Sequence, residues 1–445
     1  MPSTVSPAIT RRIVGVIFTV SSLVAAAQVA YFTLLPIIAA DLSGRESAAG
    51  IPSTMGLLFR AAAAYPLGWL MGRAGRRIGL TVGLIIGLAG TALSAWAIGA
   101  GGEWAFWLFA IGAGLAGVAR GAADLARYAA AEVSPPDNRA RVIGWIVFAG
   151  TIGALAGPLL VSPTVTLAGR AGLVPDTGPF WTAAVVLGLS ILMTFLFLRP
   201  DPLTISRQLE AERPAVEIVT GPGRPLARLL REPHVQLGMA AMTIGQLVMV
   251  MIMVITPLHM DHSGHGTGAI SLVILAHQLG MFGLSWATGW LIDRFGPAVI
   301  IIGGAGLLVA ASLLSPLVLS TVGLAVALFL LGLGWNLCFV AGSALLASGL
   351  EPNERGRVQG MSDTWSSAAS ALGSLSTGLL FALGSMLLVS AVGLGMSLAL
   401  LAGVLAATPA RAHPHPPSAP PSLALAMPAA IEGVPHVCPM AKAWA

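Results

Sequence analysis

Four charged side chains interrupt the long apolar runs of this chain: Arg60, Arg120, Asp124 and Arg127. The last three are separated by four and three residues, so in a helix they share one face. Three guanidinium groups beside one carboxylate could hold an anionic or acid-bearing molecule, because guanidinium forks match carboxylate and phosphate oxygens. Asp124 could also carry a proton, since a carboxyl group that alternates between apolar and arginine-lined surroundings changes its proton affinity. Pairing of Arg120 with Asp124 along the helix would leave Arg60 and Arg127 without counter-ions. A second reading stays open beside the first. Charges inside a membrane also occur as internal ion-pair networks, and Arg120 and Arg127 are near enough to one membrane face to serve a gate.

Neutral polar and soft side chains form a second group. Gln246, His277, Gln278, Trp335 and Asn336 fall near the middle of later apolar runs, with a methionine cluster at Met249, Met251 and Met253. Amides fix orientation, aromatic rings stack on flat ligands, and methionines adapt to several shapes. An ordinary imidazole titrates near neutrality, which makes His277 the second proton-coupling candidate after Asp124. Gln28 and Tyr31 are one turn apart in the first run and could reach the same ligand. Helix packing alone is the competing explanation for each of these residues. Asp261, His262 and His265 read as a solvated turn; no metal-ligand spacing occurs, and no cofactor is expected.

Such residues need helices that cross a membrane to position them. The chain has 445 residues, 56% of them hydrophobic and only 9% charged, a composition foreign to soluble domains. A spanning helix takes about 20 apolar residues. The pattern predicts an all-α polytopic membrane protein with spans at 13–38, 50–71, 78–100, 104–131, 140–162, 179–198, 236–259, 268–291, 298–317, 320–349, 358–380 and 385–407. The first run is too long for a signal peptide's apolar core and is expected to be retained. Net charge is +5, but eighteen of the 23 Lys and Arg residues fall in the N-terminus, the even-numbered hairpins, the linker or the tail. That bias predicts a multi-pass protein of the inner (cytoplasmic) membrane with both termini in the cytoplasm, and no nucleic-acid partner.

Two repeats divide the chain. Gly68-Trp69-Leu70-Met71-Gly72-Arg73-Ala74-Gly75-Arg76-Arg77 recurs in altered form 221 positions later, as Gly289-Trp290-Leu291-Ile292-Asp293-Arg294-Phe295-Gly296-Pro297. Pro136-Asp137-Asn138-Arg139-Ala140-Arg141 recurs 216 positions later, as Pro352-Asn353-Glu354-Arg355-Gly356-Arg357. Nearly equal offsets predict two related six-span halves, 13–198 and 236–407, after a cytoplasmic N-terminus at 1–12. The polar stretch 199–235 reads as a cytoplasmic linker with at most an amphipathic helix on the membrane surface. The proline- and histidine-rich tail 408–445 is expected to be disordered. Cys338 and Cys438 lie in unlike surroundings, and no disulfide is expected.

Residues 68–77 resemble the signature loop of the major facilitator superfamily, G-x-L-x-D-R-x-G-R-R, except that Gly72 stands where the family has aspartate. The second copy keeps that acid as Asp293, and the P-x-x-R-x-R elements also match the family's pattern. The resemblance implies two pseudo-symmetric six-helix bundles in a monomer, with span four lining a central cavity. It implies a latch in which Asp293 and Arg294 dock against the start of span five when the protein faces outward. In the first half the acid is missing, so Arg73 and Arg76 must find another partner: Asp363, in span eleven, or Glu132, at the end of span four. The alternative is that Gly72 serves only close helix approach and no latch forms there. Gly150 to Pro158 in span five resembles the glycine-proline motif of proton-driven antiporters, with Leu159-Leu160 replacing its trailing glycines. Plain helix packing is the other reading.

The expected function is secondary-active transport of a small amphipathic or anionic organic molecule by alternating access, coupled to protons and directed outward. The alternative is proton-symport uptake of a nutrient such as a vitamin or organic acid; a transporter-like membrane sensor is more remote. The partners are then a small-molecule substrate, protons and the lipid bilayer. No enzyme is expected: there is no Ser/His/Asp order and no pair of carboxylates at catalytic spacing. The only lysine is Lys442, so no phosphate-binding G-x-x-x-x-G-K-[ST] loop is present either.

Overall fold

The computed structural model describes residues 6–134, 139–211, 224–347, 350 and 352–407. Helices α1 (Pro7–Ser43), α2 (Ile51–Arg73), α3 (Arg76–Ala100), α4 (Ala105–Glu132), α5 (Arg139–Arg170) and α6 (Gly178–Phe197) form the first half. Two short helices follow, α7 (Pro202–Ala211) and α8 (Leu226–Leu229). The second half holds α9 (Pro233–His262), α10 (Thr267–Gln278), α11 (Ser285–Phe295), α12 (Pro297–Leu314), α13 (Thr321–Ala347) and α14 (Pro352–Ala407). Prolines begin α1, α2, α6, α9 and α12, where a missing N–H costs nothing.

Among the described residues nine helices are long and apolar enough to cross a membrane, or up to ten if the bent pair α10 and α11 forms one span. That pair turns by 46° across a π-helical segment, Leu279–Gly283. Helix α14 leaves helical geometry at Gly384 and Ser385 and so makes two passes. Adding α2, which carries Arg60, gives the twelve passes that the apolar pattern predicts.

Packing repeats between the halves as the duplicated sequence requires. Helix α1 packs on α5, α2 on α4 and α3 on α4 and α6; correspondingly α9 packs on α14, α10 on α13, and α12 on α13 and α14. The end of the bundle carrying the α2–α3 turn and α7 is called the terminal end, because residue 6 and residue 407 also lie there; the opposite end is the distal end. Cross-half packing joins α2 to α14, α5 to α10 and α1 to α9. The bonds that tie the halves gather at the distal end. Ser374 Oγ donates to Gly50 O at 3.1 Å, and His262 Nδ1 lies 3.6 Å from Glu46 Oε1. A Cβ on Gly50 would come within 1.7 Å of Ser374 O, so only glycine permits this contact.

The linker differs from the expectation of at most one helix on the membrane surface. Helix α7 packs on α3 and α4 and buries Ile205, while α8 buries Leu229 in a small core with Val235, Met242, Leu346, Leu350 and Val358. Arg224 holds Glu354, 1% exposed, at 2.8 Å. Both short helices therefore rest on protein, because their apolar side chains find partners in the adjacent bundle. The predicted tail, 408–445, lies outside the described residues.

Candidate functional site

Helices α1, α2, α4 and α5 of the first half and α9 and α10 of the second surround a cavity of about 420 Å³, completed by the π-helical segment and by Ser374. That volume suits a small organic ligand.

The charged group predicted from spacing lines it: Arg60, Arg120, Asp124 and Arg127. The spacing alone predicts Arg120 as the partner of Asp124, with Arg60 left over. The structure places Arg60 closer. Its Nη2 lies 2.7 Å from Asp124 Oδ2, while Arg120 Nε lies 3.3 Å from Oδ1. Packing of α2 on α4 brings Arg60 in, a contact that no local pattern encodes. The Arg60 and Asp124 side chains are 43% and 25% exposed, and pairs this open contribute only about 0–1 kcal/mol. Exchange of partners therefore costs little. Arg127 stands over the ring of Tyr128 at 5.0 Å and donates to its hydroxyl at 3.3 Å. No carboxylate pairs with Arg127 among the described residues. Asp363 of α14 lies within electrostatic reach of Arg127 and Arg60 from across the gap between the halves.

Neutral groups complete the lining. Gln28 and His277 both reach the cavity, as do Ser21, Gln278, Met249 and Met253. Gln28 Nε2 donates to Ala116 O at 2.9 Å, and His277 Nδ1 lies 3.0 Å from Leu328 O. Ser21 carries no chemical signature of its own, but it precedes Gln28 by seven residues, two helical turns on the same face. Phe32 and Phe282 supply the aromatic surface.

Other predicted ligands lie elsewhere. Tyr31 is fully buried; its hydroxyl meets Ser94 Oγ at 2.7 Å and its ring packs edge-on against Phe180. Gln246 accepts from Trp335 Nε1 at 2.7 Å and donates to Ser370 at 2.9 Å, tying α9, α13 and α14 together. Asn336 donates to Met281 O and Ser285 Oγ and accepts from Thr288, which fixes α13 to the bent helix pair. Trp335 stacks on Phe339. None of Tyr31, Gln246, Trp335 and Asn336 is part of the cavity lining. Met251 faces away too: Met249 and Met253, four residues apart, share the cavity face, whereas Met251 abuts Gly373 of α14.

The gating candidates separate by half. Arg76 grips Glu132 with two bonds, at 3.0 and 2.6 Å, rather than Asp363. Arg73 lies over Trp69 at 4.6 Å, and Gly72 O accepts from Arg207 of α7 at 3.4 Å. A carboxylate that the sequence reading does not single out completes the turn. Asp201 accepts from the backbone N–H groups of Arg76 and Arg77 at 3.0 Å each and so caps the start of α3, where the helix dipole favours negative charge. Gly75, at φ 111°, makes room for it, since a Cβ there would meet Asp201 Oδ2 at 2.5 Å. In the second half Asp293 and Arg294 are exposed. Their expected partner is the start of span five, where the side chains of 140 and 141, like those of 135–139 before it, lie outside the described residues. Two glycines of the α5 motif have a packing role: a Cβ on Gly153 would strike Ser22 O at 1.9 Å and one on Gly157 would strike Val29 and Ala26 of α1, whereas Gly150 lines the cavity and a Cβ there would meet nothing within 4 Å.

Comparison with known proteins agrees with this architecture. The Major Facilitator Superfamily family description matches residues 17–374 and 271–431. The chain is 34% identical to the uncharacterized MFS-type transporter YdeG of Bacillus subtilis, over 83% of this chain and 85% of that one. It is 29% identical to the riboflavin transporter RfnT of Brucella anthropi, over 79% of this chain and 85% of that one. Among solved structures, the nucleoside transporter NupG superposes with a TM-score of 0.68 at 14% identity, covering 89% of this chain and 98% of that one. The chain belongs to the major facilitator superfamily and is a polytopic membrane transporter with that family's fold.

Proposed function

We propose that the protein is a proton-coupled secondary transporter of a small amphipathic or anionic organic molecule. It works as a monomer in the cytoplasmic membrane, with both termini in the cytoplasm. The observation that carries this reading is Asp124. It is the only carboxylate lining the cavity among the described residues, and it is shared between arginines on two helices. With both termini in the cytoplasm, closure at the distal end corresponds to a cavity that serves the inner face. Rocking the halves to close the terminal end moves Asp363 toward Arg127 and Arg60, where it competes with Asp124 for Arg60. Asp124, left with one guanidinium fewer, takes a proton. His277 is the weaker coupling candidate, because it is fully buried and no carboxylate pairs with it among the described residues. The surplus of arginine over acid favours a substrate with an acidic or carbonyl group.

Export is the direction that the α5 motif favours by resemblance, although helix packing accounts for Gly153 and Gly157. Uptake of a vitamin or organic acid by proton symport is the second reading, supported by the likeness to RfnT, which is named for riboflavin. Transport into proteoliposomes under an imposed pH gradient, across acidic, neutral and cationic compounds, tests the proposal. The gradient is expected to accelerate acidic or carbonyl-bearing compounds in the wild type, and Asp124→Asn to abolish that acceleration while leaving substrate exchange intact. A variant still driven by the gradient would remove Asp124 from the mechanism.

A further inference from the structure

We infer that the cavity holds a hydrogen-bond-acceptor subsite, formed by Gln28 of one half and His277 of the other. It selects substrates that present an N–H or O–H donor there while an acid or carbonyl group meets the arginines. The inference deepens the transporter reading above and rests on it.

Buried polar atoms in folded proteins almost always have partners. Among the described residues eight buried side-chain N or O atoms have none, and four of them, Ser21 Oγ, Gln28 Oε1, His277 Nε2 and Gln278 Oε1, belong to residues lining this one cavity. Such a concentration marks a place where a ligand supplies the missing bonds. Gln28 and His277 are 4% and 0% exposed.

Their orientation is fixed by chemistry. Each side chain faces a backbone carbonyl, Ala116 O for Gln28 Nε2 and Leu328 O for His277 Nδ1. A carbonyl can only accept, so each of these nitrogens donates. The atom left over on Gln28 is the amide oxygen, an acceptor. On His277 it is Nε2, which in the neutral ring is also an acceptor, and no carboxylate pairs with this imidazole among the described residues. Ser21 and Gln278 are not pinned in this way and carry no part of the assignment.

Gln28 lies toward the distal side of Arg120. Ala116, which anchors Gln28, precedes Arg120 by one helical turn, about 6 Å toward the distal end. Asp124 and Arg127 follow further toward the terminal end. A ligand is thus read by two kinds of group: its donors by Gln28 and His277, its acid or carbonyl oxygens by the arginines. Because the acceptors come from opposite halves, one donor-bearing group could contact both bundles.

Matched ligand pairs test this on the purified full-length protein. Riboflavin and uridine, each carrying a ring N–H, are compared with their 3-N-methyl analogues by equilibrium binding. 5-Methyluridine, which adds a methyl yet keeps the N–H, controls for size. A site built around acceptors rejects the analogue lacking the donor by about tenfold or more. At least one parent is expected to bind that much more tightly than its N-methyl analogue, with 5-methyluridine behaving as uridine does. In Gln28→Leu or His277→Phe the ratio of parent to N-methyl analogue is expected to fall toward one. Equal binding of parent and N-methyl analogue by the wild type, absence of binding by either parent, or a ratio unchanged in both variants would each overturn the subsite. The readout is separate from the pH-gradient experiment: failed coupling with an intact ratio refutes the proton mechanism alone, and a lost ratio with intact coupling refutes the subsite alone.

Discussion

Arg127 differs from its two neighbours in that no carboxylate holds it among the described residues, so it is the cation most available to a ligand. Arg127→Gln is expected to weaken an acidic ligand about tenfold, near 1.4 kcal/mol, and to leave the neutral amide of the same scaffold unaffected. Competition binding with the acid and amide forms measures this; equal weakening of both would mean that Arg127 acts through structure. The shared face of Arg120, Asp124 and Arg127 is legible in the sequence, because helical periodicity lies within one segment. Arg60 as the closer partner of Asp124 is not, since it depends on how α2 packs on α4. Gln28 and Tyr31 show how fine the distinction is. Three residues of separation leave side chains about 60° apart around a helix, enough for Gln28 to line the cavity while Tyr31 turns to Ser94. Met251 was separable from Met249 and Met253 by the same geometry.

At the scale of elements, the distal closure depends on the start of α2 resting against the middle of α14. Gly50→Leu places a side chain where even a Cβ meets Ser374 O at 1.7 Å, so α14 must withdraw. The expected result is a several-fold faster reaction of a cysteine placed at Ser53, a cavity residue near that contact, with an impermeant thiol reagent added from the distal side. An unchanged rate would show that the closure does not rest on this contact. The signature loop illustrates what element-level reading misses. Its glycine and arginines are visible in sequence, but the carboxylate that caps α3 is Asp201, more than a hundred residues away beyond α6. Nothing local announces a cap supplied by another segment. The linker is similar: its composition is polar, yet Arg224 and Leu229 find specific partners once the second half has folded.

For the whole molecule, duplication is the feature most fully legible, because two motifs at nearly equal offsets require equivalent helices at equivalent places. The division of labour between the halves is legible only in part. The charged side chains lining the cavity do come from the first half, but the polar residues of the second half divide, His277 and Gln278 to the cavity and Gln246, Trp335 and Asn336 to internal bonds. The lone acid among the lining residues has an electrical consequence. Under the proposed proton coupling, one carboxylate allows one proton per cycle. Exchanging that proton for a monoanion moves two charges across the membrane in the same electrical sense, while carrying both together moves none. At about 2.3 kcal/mol per charge per 100 mV, voltage alone would drive the exchange strongly and leave co-transport indifferent. Clamping vesicles at different potentials with potassium and valinomycin, at equal pH on both sides, is therefore expected to change the rate of a monoanion exporter severalfold. A flat response would assign the protein to import, and the membrane potential becomes the simplest instrument for telling which way this transporter runs.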